Sequence, residues 1–356
     1  MVSRSGLQNL IMRFTKKYGC ELKDKMKRIA YLDTVKLLTI FLVILGHVTQ
    51  MMVHGWVVGE HLWKPIYSFH MPLFMLVSGY FVSDRMLNCT LGKMIIVKAK
   101  QLLLPVFTCT IVCCIYLFLV RESVNYRDEI IGNSWFLKVL FVFYVLFWLL
   151  KRTKQNDWIL FVLSCLFLFF VPKGSTLQIN LLWPYFFVGY LLKKYQVLDK
   201  MIGKWQTVVI FLLLYSFTYA LQWNLKIPNI ITINHDNLYN LWYLILFRYF
   251  VAFCGAMSVI LLVAWVYERW PKASVLNRIS SYGKYTLGIY VLQTLLIINI
   301  FPDTFAWYVE SKWLLDIFVS PMLSFGFLMF CIWLIILFSK RRMLDLLFFG
   351  GQYYKR

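Results

Sequence analysis

The chain has 356 residues, 61% of them hydrophobic and only 15% charged, with a mean hydropathy of +0.68; soluble domains hold about 45–50% apolar residues, so a soluble fold is excluded and an integral membrane protein is expected. A net charge of +21 raises nucleic acid as a partner, but a basic chain this apolar is expected to carry its Lys and Arg in cytoplasmic loops facing anionic lipid, so membrane lipids are expected as partners and no nucleic acid. The eight cysteines lie mostly in apolar runs such as "CTIVCC" (Cys109, Cys113, Cys114) without zinc spacing, so neither a disulfide framework nor a metal site is expected.

Residues 1–30 are basic and polar and read as a cytoplasmic leader. They are not a cleavable signal peptide, because the apolar run behind them is long, carries charge and lacks an AxA-like site. Apolar runs then fall near 32–53, 65–83, 102–120, 134–150, 158–171, 181–192, 207–222, 241–267, 286–301 and 313–338. The expected fold is therefore all-α, a polytopic transmembrane bundle of about ten spans over residues 31–340. A basic tail follows at 341–356, both termini are cytoplasmic, and the protein is multi-pass in the inner membrane. With that topology 28 of the 37 Lys and Arg fall in cytoplasmic segments, six in outer loops and three inside spans, which obeys the positive-inside rule. No phosphate loop, GxSxG elbow, HExxH pair or solenoid repeat is present.

The first span, "YLDTVKLLTIFLVILGHV", holds Asp33, Lys36 and His47. Lys36 and His47 are three turns apart, about 16 Å along a helix, and Asp33 shares their face. The Asp/Lys pair sits at the cytoplasmic end and the histidine in the outer third. Such groups line a polar cavity or, for Asp33 and Lys36, snorkel to the interface. The second span, "YSFHMPLFMLVSGYF", places His70 at a depth similar to His47; it faces the same cavity or is a core histidine bonded to a neighbouring helix. Ser78 and Gly79 read mainly as small residues for close packing. Arg248 in "ILFRYFV" is too deep to snorkel cheaply, whereas Lys138 in "SWFLKVL" lies near the surface.

Taken in order, "DTVK", "LVILGH", "FHMPLFMLVSGYF", "KAKQLLLP", "SWFL", "FFVGYLL" and "YTLGIYVLQ" resemble the membrane acyltransferase 3 family, and especially the fucose 4-O-acetylase-like sugar O-acetyltransferases. The resemblance covers about residues 30–340. It implies about ten spans and the transfer of an acyl group, often acetyl from acetyl-CoA, onto sugars of surface glycans. The family's arginine and histidine, with ten residues between them, map to Lys36 and His47. Lysine keeps the charge but loses the planar fork. Gln101 stands where the family often has arginine, and Gln293 where a histidine is common, so Gln293 receives no catalytic role.

Acyl transfer needs a base, an oxyanion donor and proximity of the two substrates. His47 is the expected base, since an imidazole can take a proton near neutral pH. His70 is expected to orient it or share its proton work, and Arg248 to stabilise the oxyanion or a charge on the substrate. Donor binding falls to Asp33, Lys36, Lys98 and Lys100, cations there meeting the phosphates of acetyl-CoA, which is a donor substrate and not a resident cofactor. Ordinary positive-inside placement is the alternative for Lys98 and Lys100. Trp63 and Trp135 are the expected acceptor-binding residues, with interfacial anchoring as their alternative. A covalent acyl intermediate on His47 or Ser78 and direct transfer both stay open. The rival function is a polysaccharide exporter or lipid-linked sugar flippase, which would spread its polar residues over many spans instead of concentrating them in the first two.

Overall fold

The computed structural model describes residues 29–51, 60–120, 132, 134–169, 178–228, 235–301 and 314–354. Nearly all of the leader, Trp56 and the loop cations Arg121, Arg127, Lys173 and Lys312 lie outside the described residues. Among the described residues every regular element is helical. α1 (Ala30–Met51) contains no proline and has Asp33 in its first turn, where a carboxylate meets the positive end of the helix dipole. α2 (Glu60–Tyr80) holds Pro65 and Pro72 within it. The short α3 (Asp84–Asn88), capped by the Ser83 side chain, leads to α4 (Leu91–Lys98), which runs through a wide turn at Ala99–Leu103 into α5 (Leu104–Val120). There follow α6 (Trp135–Arg152), α7 (Asp157–Phe169), α8 (Ile179–Lys194), α9 (Val197–Met201), α10 (Trp205–Asn224) and α11 (His235–Arg269), which is kinked at Leu241. α12 (Ser274–Tyr282) and α13 (Thr286–Gln293) come next, with α13 opening into a π-helical turn at Thr294–Ile300; α14 (Ser320–Ser339) and α15 (Arg342–Phe349) complete the chain.

Among the described residues six stretches are long and apolar enough to cross a membrane: Ala30–Gln50, Leu91–Val120, Trp205–Asn224, Tyr239–Arg269, Ser274–Ile300 and Asp316–Ser339. They coincide with the first, third and last four expected spans. The other four expected spans are the helices α2, α6, α7 and α8, of 21, 18, 13 and 16 residues. Two prolines in α2, Lys138, Lys151 and Arg152 in α6, and the 16-residue length of α8 set these three apart from simple spans.

α2 lies at the centre, packed on α1, α8 and α11, while α1 also meets α12 and α14. The peripheral helices turn large apolar side chains outward: Phe107 and Phe118 on α5, Leu213 and Phe217 on α10, Met322 and Phe325 on α14. A surface this apolar suits lipid. The interior between α6 and α8 is aromatic, with Phe143, Phe147, Trp183 and Phe186 fully buried and the Phe143 and Trp183 rings 5.2 Å apart.

Three prolines shape the interior through the carbonyls they release. Proline has no N–H, so the carbonyl four residues before it loses its helical partner and, in lipid, must find another. Pro72 releases the Ser68 carbonyl, which accepts from Arg248 Nη1 at 3.2 Å. Pro184 releases that of Asn180, which accepts from the Tyr249 hydroxyl at 2.8 Å. Pro105 releases that of Gln101, which accepts from Gln352 Nε2 at 3.3 Å. Adjacent residues of α11 thereby tie down α2 and α8.

Candidate active site

A cavity of about 230 Å³ opens where α1, α2, α6, α8, α11 and α13 converge. Its wall includes His47 and Gln50 of α1, Tyr67 and His70 of α2, Trp135 of α6, Gln178 before α8, Arg248 of α11 and Tyr290 of α13, with Val43, Met71, Pro72, Leu181 and Leu182 as the apolar part. His47 and His70 thus share one cavity, as their matched depths suggested, and Arg248 and Trp135 join them there.

Each polar group is held by a different partner. His47 Nδ1 lies 2.9 Å from Gln293 Oε1. His70 Nδ1 donates to the Ile66 carbonyl at 2.8 Å, one turn back in its own helix. The His70 ring meets Tyr67 edge-on at 4.7 Å, and the Tyr67 hydroxyl donates to Gln50 Oε1 at 3.2 Å. Arg248 is buried, with Nη1 directed at the Ser68 carbonyl and, at 3.4 Å, at Gln222 Oε1. The site therefore presents two imidazoles and one guanidinium, each fixed by the protein, around a space whose wall is part polar and part apolar.

The remaining sequence candidates lie elsewhere. Trp63 stacks on Tyr67 at 4.0 Å and is absent from the cavity wall. Asp33 and Lys36 form an ion pair of 2.6 Å, with the Lys36 ammonium 4.3 Å above the Phe81 ring; along the unbroken α1 Lys36 is about 16 Å and Asp33 about 21 Å from His47. The Lys98 ammonium lies over the Tyr144 ring at 3.7 Å. Lys100 belongs to the wide turn against which Gly350 packs, in the left-handed conformation (φ +66°) that ends α15. None of these four lines the cavity. Ser78 donates to the Phe74 carbonyl at 2.8 Å in its own helix.

Sequence reasoning missed Gln293, Tyr67, Gln50, Gln178 and Tyr290. A polar residue in an apolar run was a signal for Gln293, and Pro72 four residues after Ser68 was a signal that a side chain must reach that carbonyl.

The fold and site define a helical membrane protein with a buried polar cavity built around two histidines and an arginine. The family model described as "Acyltransferase domain" matches residues 29–342, and the chain belongs to that family. It is similar to two proteins named nodulation protein NolL. With that of Mesorhizobium japonicum it is 31% identical over 173 residues, 45% of this chain and 46% of the relative. With that of Sinorhizobium fredii it is 30% identical over 175 residues, 45% of this chain and 47% of the relative. The chain spans about half the length of the curated relatives it matches. No solved structure matches it.

Proposed function

We propose that this protein is an integral membrane O-acyltransferase that moves an acetyl group from cytoplasmic acetyl-CoA to a hydroxyl of a surface polysaccharide or other glycan. The observation that carries this reading is the meeting of His47, His70 and Arg248 on one cavity wall in a chain of the acyltransferase family. The acceptor hydroxyl attacks the thioester carbonyl while His47 takes its proton; the C–S bond breaks, and the CoA thiolate recovers that proton as it leaves. Arg248 stabilises the oxyanion that forms between these steps. His70 completes the polar wall, and Trp135 offers a flat face to a sugar ring. The donor enters from the end of α1 that carries Asp33 and Lys36, with Lys98 and Lys100 as further cations. In this reading the chain makes ten spans of the inner membrane with both termini cytoplasmic.

The test is transfer of radiolabel from acetyl-CoA to glycan in membranes containing the protein, set against His47→Ala at matched expression. Label that depends on His47 is expected. Equal label from both proteins would remove His47 from the chemistry, and glycan export without label from either would point to a transporter.

A further inference from the structure

Gln293 is fully buried at the end of α13, where the helix widens into the π turn Thr294–Ile300. Such turns break the regular ladder and recur at functional sites. This one is held by Asn299, whose Nδ2 donates to the Thr294 carbonyl at 3.0 Å. The Gln293 amide has its orientation set by its neighbours. Its Nε2 donates to the Tyr290 carbonyl at 3.2 Å and to Thr294 Oγ1 at 2.8 Å, while the Thr294 hydroxyl itself donates to the Tyr290 carbonyl at 2.9 Å. Flipping the amide would set its oxygen against the Tyr290 carbonyl, two acceptors facing each other in a buried site. The oxygen Oε1 therefore faces His47 Nδ1. An oxygen that only accepts requires a proton on Nδ1, and in a neutral imidazole that leaves the lone pair on Nε2.

We propose that Gln293 is a positioning residue that selects the Nδ1-protonated tautomer of His47 and so makes Nε2 the base of the reaction. The proposal rests on the acyl-transfer reading above for its role, but not for its geometry. The chain Tyr290–Thr294–Gln293–His47 acts as a fixed amide lock, giving the imidazole one orientation and one basic nitrogen before substrate arrives. Gln293 is not part of the cavity wall and acts through His47.

The experiment uses the full chain in detergent with ¹⁵N-labelled histidine, the His47 signals being identified by their loss in His47→Ala among the five histidines. Wild type is expected to show His47 protonated on Nδ1. Gln293→Leu removes the acceptor and is expected to yield a mixture of tautomers; Gln293→Glu keeps an acceptor and is expected to retain the wild-type form. In the label-transfer assay Gln293→Leu is expected to lower kcat at least tenfold with donor KM unchanged, and Gln293→Glu to recover a large part of it. Thr294→Val, which unlocks the amide without touching His47, is expected to move the tautomer in the same direction. A wild-type His47 protonated on Nε2, or a tautomer indifferent to Gln293→Leu, overturns the proposal. The spectra decide the role of Gln293 even where no label moves, because that result defeats the acyl-transfer reading alone.

Discussion

The guanidinium of Arg248 is tied to the carbonyl of Ser68, 180 residues away in the chain, and that carbonyl accepts it because Pro72 has removed its helical partner. Restoring the N–H with Pro72→Ala lets the helix compete for the same oxygen. The fold is expected to survive, with a midpoint of thermal unfolding equal to or above wild type, since the new bond is native helical geometry. Label transfer is expected to drop about tenfold, the effect of a charged donor losing about 1.4 kcal/mol of its fixed placement. Unchanged transfer would mean that this carbonyl does not position Arg248 for the reaction.

A second relationship governs the packing of α2 on α8. A Cβ on Gly79 would run into the Phe186 carbonyl, and one on Gly189 into the Leu76 carbonyl, so the two backbones touch. Backbone cannot yield as a flexible side chain can. Gly79→Ala or Gly189→Ala is expected to cost about 3 kcal/mol, at the upper end of overpacking, and to lower both the unfolding temperature and the yield of monodisperse protein. Gly92→Ala, where a Cβ meets nothing within 4 Å, is the control and is expected to leave both unchanged.

The two histidines separate by readout. His47→Ala is expected to lower kcat by about 10²–10⁴, the usual worth of a general base, with the protein still inserted and folded. His70 shares the cavity, but its Nδ1 is engaged by the Ile66 carbonyl of its own helix, so His70→Ala is expected to cost less than His47→Ala. Comparing kcat at matched expression checks the order, and a larger loss at His70 would reverse the assignment.

What was legible in the sequence was whatever depends on one helix at a time. The depth of His47 and His70 follows from rise per residue within a span, and the Asp33–Lys36 contact from a spacing of three; the six long apolar helices follow from run length. The pairing of helices was not legible in the same way. Gln293 stands 246 residues from His47, and nothing in the run "YTLGIYVLQ" says that α13 lies against α1. Trp63 and Trp135 looked equivalent as aromatic residues near span ends. Only packing distinguishes them, with Trp135 on the cavity wall and Trp63 stacked on Tyr67.

Asp157 gathers three helices, accepting from Lys151 of α6 at 2.5 Å and from Lys194 of α8 while itself starting α7. Burial pushes its carboxyl up, but the two ammonium groups outweigh that and hold it below the ordinary value of 3.8. A depressed pKa adds stability that is present above the unfolded-state value and is lost as pH falls through the folded one. Asp157→Asn is therefore expected to destabilise the protein at pH 7, by about 1 kcal/mol, because the two ammonium groups left behind keep 19% and 45% of their side chains exposed. The gap to wild type should close as the pH is lowered below about 4. Thermal unfolding in detergent across that range checks both statements; a gap that does not depend on pH would mean that the charge of Asp157 contributes nothing.

Lys36 poses the question of whether the far end of α1 serves the donor or only the fold. Its ammonium is paired with Asp33 at 2.6 Å and keeps 24% of its side chain exposed, while the Asp33 side chain keeps 7%. Removing the lysine leaves a buried carboxylate without that partner, so Lys36→Ala alone mixes a loss of stability with any loss of binding. The double variant Asp33→Asn/Lys36→Met removes both charges together and is expected to restore the unfolding temperature to near wild type. If Lys36 meets the phosphates of the acyl-CoA donor, the double variant should still show a donor KM raised about tenfold or more, the worth of a charge-assisted contact of about 1.5 kcal/mol. Acceptor KM should stay unchanged, and Lys36→Arg, which keeps the cation, should recover most of the donor affinity. A double variant with wild-type donor KM would make the pair structural and move donor recognition to Lys98, Lys100 or other cations. That shift would leave His47 and its cavity untouched, because about 16 Å of helix separates Lys36 from His47.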